Sequence, residues 1–279
     1  MIYQKATINT DIRYGYALSA CSSNPEFHFH DHYEIYLFLS GNANVFVNEL
    51  SYSLERGDLL FFNSNDLHKA INYTDDAYER YCIHFNPDAL SIYCTEQTDL
   101  LACFKQSSSK KIHLSENELT KIVSKLEHMR AIQKNSAYGT DVLLVNTLVS
   151  LLIKTNVLAR QYHDAPSSQS PTITNLLTYI NTHIQEDLSL EQLSEVCNIE
   201  KCYLCKLFKT ATGSTIWQYI VAKRIALSKQ LLSQKNSSIQ DVCFDSGFNS
   251  YAHFSRTFKS IVGMSARDYQ KNISSILQQ

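Results

Sequence analysis

Two periods of apolar residues divide this chain. Early on, apolar positions alternate: Ile35, Leu37 and Leu39 share one face of a predicted strand, and Val45 and Val47 begin another. Asn48-Glu49 reads as a hairpin turn before Ser51-Tyr52-Ser53-Leu54. Gly57-Asp58 precedes Leu59-Leu60-Phe61-Phe62, and Tyr81-Cys82-Ile83-His84-Phe85 is a further strand. Short strands between turns predict a β-sandwich or barrel over roughly the first hundred residues. After Pro87 the period turns helical. Ser115 caps a helix running through Arg130, with Glu118 at the capping-box position. Thr140 or Asp141 opens a second helix, Val142 to Arg160. Leu144, Leu148, Leu151 and Leu152 lie near one of its faces, and Val142, Val145, Val149, Ile153 and Val157 widen the stripe. A helix that apolar has two surfaces to cover. One is the barrel; the other is expected to be the same helix of a second subunit, giving a homodimer. Gln161 to Thr174 breaks the pattern with Pro166, Ser167, Ser168, Ser170 and Pro171. The expected division is a first domain over 1–160, a linker over 161–172 and a second domain over 173–279. The second opens on a short amphipathic helix carrying Ile173, Leu176, Leu177 and Ile180.

From Ser189 to Tyr269 the chain says the same thing twice. Ser189-Leu190-Glu191-Gln192-Leu193 leads through Asn198 to Tyr203-Leu204-Cys205-Lys206-Leu207-Phe208-Lys209, Gly213 and Tyr219. Ser238-Ile239-Gln240-Asp241-Val242 leads through Gly247 to His253-Phe254-Ser255-Arg256-Thr257-Phe258-Lys259, Gly263 and Tyr269. A repeat of this kind is one supersecondary unit used twice. Each copy reads as helix, turn, helix, capped by Ser189 or Ser238. The second helix of each packs Leu204, Leu207 and Phe208, or Phe254 and Phe258, and turns basic and polar groups outward, as a major-groove helix must. Between the copies, Thr215 to Leu232 contains neither Gly nor Pro. It reads as a helix about 27 Å long, beside a groove repeat of about 34 Å in B-DNA.

Charge supports the division. From residue 171 onward there are 11 Lys and Arg against 8 Asp and Glu, and the preceding residues hold 14 against 19. A basic half beside an acidic one fits a DNA reader attached to something else. The start lacks an apolar leader and no run of 18 apolar residues occurs, so neither export nor a membrane partner is expected. Eight scattered cysteines suggest free thiols in a reducing cytoplasm.

The repeat resembles the DNA-binding domain of AraC/XylS-type transcription regulators. The resemblance rests on Tyr203-Leu204-x-Lys206-x-Phe208-Lys209, Gly213, Arg224-Ile225, Leu231-Leu232, Ile239-x-x-Val242, Gly247-Phe248, Phe254-Ser255-Arg256-x-Phe258-Lys259, Gly263 and Tyr269. It covers the last hundred residues. It departs at Cys202 and Cys205, where relatives carry Ser or longer polar groups, and at Phe244. Double-stranded DNA is the implied partner. Cys202, Cys205 and Lys206 in one unit, and Tyr251, Ala252, Ser255 and Arg256 in the other, are expected at base edges, with Lys209 and Lys259 on phosphates.

His28, His30, His32 and Glu34 share parity, so a regular strand would turn them to one side, with His68 arriving from a later strand. Imidazoles and a carboxylate have the ligand types of a metal site. Three readings stay open: a polar effector pocket, a bound metal, or histidines hydrogen-bonded for structure. The stretch from Asn24 to Leu90, with Gly41, Gly57-Asp58 and His68, resembles the small β-barrel called a cupin, in the form fused to AraC-type readers. In cupin enzymes the pattern His-x-His-x-x-x-Glu plus a distant His holds a metal, and His28, His30, Glu34 and His68 match it. Regulators of this type use the barrel to bind a small molecule. His28, His30, His32, Glu34, Tyr36 and His68 are therefore the expected effector site, with Phe38 as a wall and no resident cofactor.

Cys202-x-x-Cys205 reads first as small side chains near DNA, and only then as a thiol sensor or zinc site with Cys197 and His183. No phosphate loop or nucleophile motif is present. The expected fold class is α+β in two domains: a cupin-like β-barrel followed by helices, then an all-α double helix-turn-helix. The expected function is a cytoplasmic regulator without catalytic activity, responding to a small polar effector such as a sugar or related metabolite. The alternative is a cupin metalloenzyme fused to a DNA-binding module.

Overall fold

The computed structural model of the chain describes residues 12–19, 26–64, 66–74, 77–105, 110–134, 137–161, 171–233 and 238–276. The described residues of the first half hold eight strands: β1 (Ile12–Ser19), β2 (Tyr33–Ser40), β3 (Ala43–Val47), β4 (Leu50–Ser53), β5 (Asp58–Phe62), β6 (His68–Asn72), β7 (Tyr78–Phe85) and β8 (Lys111–His113). They form two antiparallel sheets, one in the order β1-β7-β2-β5-β8 and one in the order β4-β3-β6. The expected hairpin at Asn48-Glu49 joins β3 to β4, with Asn48 at φ 52°. Asn reaches that left-handed region at low cost because its short side chain bonds locally.

The larger sheet is covered on both faces, which is why β2 is buried from Glu34 to Leu39. Its outer residues, Ile35, Leu37, Leu59, Phe61, Ile83 and Phe85, pack beneath three helices. These are α1 (Ala102–Lys105), α2 (Glu116–Gln133) and α3 (Thr140–Gln161). The Ser115–Glu118 capping box that starts α2 is present in full. Its inner residues, Tyr36, Phe38, Leu60 and Phe62, face Val45, Val47 and Tyr52 of the smaller sheet.

Leu148 and Leu152 of α3 are fully buried in their own domain. The exposed apolar residues are Val142, Leu143, Ile153 and Val157. Among the described residues α3 alone is long and apolar enough to cross a bilayer, and half of that stretch is buried in the domain, as in a core helix. The expected linker falls largely on residues 162–170, which lie outside the described residues; Gln161 closes α3 and Pro171 opens the next helix.

Seven helices follow among the described residues: α4 (Pro171–Thr182), α5 (Leu190–Cys197), α6 (Lys201–Thr212), α7 (Ile216–Leu232), α8 (Ile239–Asp245), α9 (Tyr251–Val262) and α10 (Ala266–Ile276). Ser189 and Gln192 complete a capping box on α5, and Ser238 accepts from the Asp241 N–H on α8. Asn198, at φ 51°, closes α5 in the left-handed conformation. Gly247, at φ 89°, has no room for a side chain: a Cβ there would collide with the Ile184 carbonyl and stand 2.8 Å from Arg224 Nε. The two units have separate cores. Leu193, Leu204, Phe208 and Tyr219 belong to one, and Val242, Phe248, Phe254 and Phe258 to the other. α7 serves both, with Ile216 to Ala222 in the first and Ile225 and Leu232 in the second.

The smaller sheet lies against this second half. Phe27, Phe46, Leu67 and Ile71 share a core with α4 to α7. Polar bonds close the same seam: Lys69 Nζ donates to Ser214 Oγ at 3.0 Å, Tyr73 OH to the Ala211 carbonyl at 3.0 Å, and Lys223 Nζ to Asn48 Oδ1 at 2.9 Å. Tyr219 OH donates to the Asn48 carbonyl at 3.1 Å.

Candidate functional site

The space between the two sheets holds a cavity of about 200 Å³. β2 supplies Glu34 and Tyr36 to it, β6 supplies His68 and Ala70, and β7 supplies Arg80, Cys82 and His84. Val45 and Phe62 give apolar walls, and His28 closes one side. Alternation within β6 and β7 accounts for this: every second residue turns inward.

The regular strand expected from His28 to Glu34 is corrected. β2 begins only at Tyr33, and residues 29–32 are irregular. His28 instead pairs with His68 in an isolated antiparallel bridge, N–H to carbonyl in both directions at 3.1 and 2.9 Å. The chain then folds back, so that His30 Nε2 meets Glu34 Oε2 at 2.9 Å while His30 Nδ1 meets the His32 carbonyl at 2.7 Å. Parity is lost with the ladder that imposes it. His32 is not in the cavity; it lines a separate cleft with Asp31, Asn86 and Tyr269. Phe38 is buried among interior side chains and does not line the cavity.

Glu34 is the hub. His84 Nε2 lies 3.2 Å and His68 Nε2 3.3 Å from its Oε2. The His68 approach is too oblique for a hydrogen bond, so this buried nitrogen lacks a partner. Its other nitrogen donates to the Asp66 carbonyl at 2.9 Å, and its ring stacks on Phe62 at 4.5 Å. Burial alone raises the Glu34 carboxyl; the surrounding imidazoles of His30, His68 and His84 outweigh it and hold the group well below the usual carboxylate range. The two nitrogens of His30 face two acceptors, the His32 carbonyl and Glu34 Oε2. Burial pushes the Tyr36 phenol and the Cys82 thiol well up, and Tyr36 shares its hydroxyl with Tyr78.

Sequence reasoning missed His84, Arg80 and Cys82. Their alternation in β7 was visible, but their place opposite Glu34, Phe38 and Tyr36 is set by the β2–β7 register.

On the DNA-reading helices, Cys202, Lys206 and Lys209 of α6 are exposed, and Cys205 is half-buried against the first core. Tyr203, part of the repeat but not among the expected DNA contacts, is exposed beside them. Tyr251, Ala252, Ser255, Arg256 and Lys259 of α9 are all exposed on one side, with Phe254 and Phe258 buried on the other.

A sheet-rich domain with an internal pocket, joined to paired helix-turn-helix units, defines a transcription regulator with a ligand-binding domain rather than an enzyme. The model of the AraC-like ligand binding domain matches residues 14–136, and that of the helix-turn-helix domain matches residues 193–272. The chain belongs to the AraC/XylS-type transcriptional regulators, with an N-terminal cupin-like effector domain. It is 25% identical to the HTH-type transcriptional regulator YdeC of Bacillus subtilis (strain 168), over 96% of this chain and 90% of that protein. It is 26% identical to an HTH-type transcriptional regulator of Staphylococcus aureus (strain COL), over 83% of this chain but only 30% of that protein. Apo ToxT from Vibrio cholerae is 16% identical, covering 94% of this chain and 97% of that one at a TM-score of 0.40.

Proposed function

We propose that this chain binds a small polar metabolite between its sheets, and that occupancy changes how α6 and α9 are presented to DNA. The observation that carries this is the two-sided segment from Glu26 to Asp31. His28 and His30 turn toward Glu34 and His68. Phe27 packs into the first helix-turn-helix core and Phe29 against both. Asp31 accepts from Lys229 and, at 3.3 Å, from Tyr269. A ligand acting on the imidazoles acts on the same few residues that hold the DNA-reading half. The cavity is small beside the usual 300–1,000 Å³, so the ligand is the size of a sugar or smaller. Glu34 and the Tyr36 hydroxyl are already engaged, which leaves recognition to the imidazoles and Arg80. Thermal-shift screening of the full chain tests the reading: a true effector raises the midpoint and alters operator affinity together.

Arg256 is the strongest base-reading candidate, since a guanidinium pairs bidentately with guanine. Arg256→Ala is expected to cost about 1–3 kcal/mol and to relax preference at one base position. Lys259→Ala should weaken all sequences alike and flatten the salt dependence. Selection from random DNA separates the two, and an unchanged preference in Arg256→Ala removes it from the base-reading set.

The cytoplasmic protein acts as a homodimer in this reading, through the exposed side of α3. A two-fold contact sets one apolar stripe against itself, and Val142, Ile153 and Val157 supply one. Ile153→Lys with Val157→Lys should yield a folded monomer by sedimentation. Charging Leu148 or Leu152 should instead unfold the domain, because both are core residues. A monomeric wild type at tens of micromolar ends the idea.

A bound divalent cation is a second reading of the imidazole cluster. Nδ1 of His28, His30 and His68 each meets a backbone carbonyl, which is how ligating histidines are held. The donor atoms of His30, Glu34 and His84 lie within 4.8 Å of one another. The ion would offer the effector a Lewis-acidic anchor. Metal content of protein purified without chelator decides it.

A further inference from the structure

We propose that the effector is an anion, a small metabolite whose carboxylate is held by Arg80; this rests on the pocket being the effector site. Arg80 enters the cavity from β7 on the same side as Cys82 and His84. Its guanidinium carbon lies 4.4 Å from the centre of the Tyr78 ring. Its Nη1 is shielded from solvent and has no hydrogen-bond partner among the described residues. A guanidinium cannot discard its charge by losing a proton, so the half-buried group remains a cation with one nitrogen out of reach of water.

Among the described residues no neighbour supplies the missing charge. Glu34 is the single acid among the residues lining the cavity, and its Oε2 already faces three imidazoles. The Cys82 thiol beside Arg80 stays protonated through burial. Glu79, adjacent in sequence, is engaged elsewhere and accepts from Tyr16 OH at 2.7 Å. A cation held at His30, Glu34 and His84 would leave Arg80 as unpaired as before.

A charged nitrogen buried without a hydrogen-bond partner weakens the fold that carries it. A ligand that brings the counter-charge recovers that loss on binding. A guanidinium with no acid against it among the described residues calls for a negative charge, and its flat fork matches a carboxylate in two parallel hydrogen bonds. A phosphate dianion would bring a second charge toward Glu34, where no second Lys or Arg lines the cavity among the described residues. Val45 and Phe62 are left to cover the carbon skeleton.

The test uses the full chain, with acetate as the carboxylate probe, acetamide as its neutral counterpart, inorganic phosphate and xylose. Acetate should raise the thermal midpoint and acetamide should not. Arg80→Gln should abolish the acetate response and raise the midpoint of the ligand-free protein. Arg80→Lys, which keeps the charge but not the fork, should bind acetate at least tenfold more weakly while remaining folded. The proposal is overturned if acetate acts no more than acetamide, or acts equally on Arg80→Gln. A stronger response to phosphate that Arg80→Gln removes would overturn the carboxylate. A response to xylose that is independent of Arg80 would overturn the anion and leave the pocket standing. Ala70→Phe, which fills the cavity, separates the two readings: promoter regulation unchanged by that substitution would remove the pocket itself.

Discussion

Glu34→Ala should destabilise the effector domain by about 3 kcal/mol. A buried ion pair deprived of one partner typically costs 3–5 kcal/mol, and the lower end applies because an imidazole, unlike a guanidinium, can shed its proton. The substitution removes the common acceptor of His30 and His84 and leaves a third ring, His68, facing an empty site. The pH dependence has a definite sign. The Glu34 carboxyl is held below its ordinary value of 4.5. Its contribution is therefore full above the pH at which an unfolded carboxylate titrates, and is lost as pH falls through the lower folded value. In Glu34→Ala that part of the acid limb should disappear. Calorimetry is the measurement, since the single tryptophan, Trp217, lies in α7 and does not report on the barrel. His32→Ala removes an imidazole that lies outside the cluster and should cost far less. Equal losses in the two variants would show that the hub is not Glu34.

The helical half was legible because its signals are local. A capping box needs four consecutive residues, and Ser115 with Glu118 and Ser189 with Gln192 both form as the spacing requires. The left-handed positions at Asn198 and Gly247 are likewise fixed by one residue each. The site was half legible. Glu34, Tyr36, His68, His28 and His30 come together, but His32 leaves them, because parity holds only where a ladder pairs the chain and the ladder starts at Tyr33. His84 and Arg80 were hidden for the opposite reason. Their inward direction followed from alternation, but their neighbours depend on a register between strands some fifty residues apart. In α3 the apolar residues run around much of the helix, so composition could not say which side met the core. Leu148 and Leu152 went inward, and Ile153 and Val157 did not. The seam between the domains was invisible, since Phe27 and Phe46 look like ordinary barrel residues until the DNA-reading half is placed against them.

Phe27→Ala should uncouple effector from DNA without destroying either domain. Phe27 is almost fully buried, edge-on to Phe46 of the barrel at 6.2 Å and to Tyr219 of α7 at 5.0 Å, with Lys69 Nζ 5.7 Å from its ring centre. Truncating a buried Phe costs about 3–5 kcal/mol when all its contacts lie in one core. Here they straddle two domains, so much of the loss falls on their docking. The polar bonds that remain across the seam, among them Lys69 to Ser214, Lys223 to Asn48, Tyr73 to Ala211 and Tyr219 to Asn48, contribute about 1 kcal/mol each. They cannot replace the aromatic wedge. Calorimetry of the variant should therefore show two transitions where the wild type shows one. Operator affinity should persist, since α6 and α9 keep their own cores. The response of that affinity to effector should vanish, although effector still binds. Asp31→Asn offers a graded comparison: it removes the charge facing the buried Lys229 at an exposed position, so its effect should be smaller and in the same direction. A Phe27→Ala protein that melts in one transition and answers effector as the wild type does would place the coupling elsewhere than the Glu26–Asp31 segment.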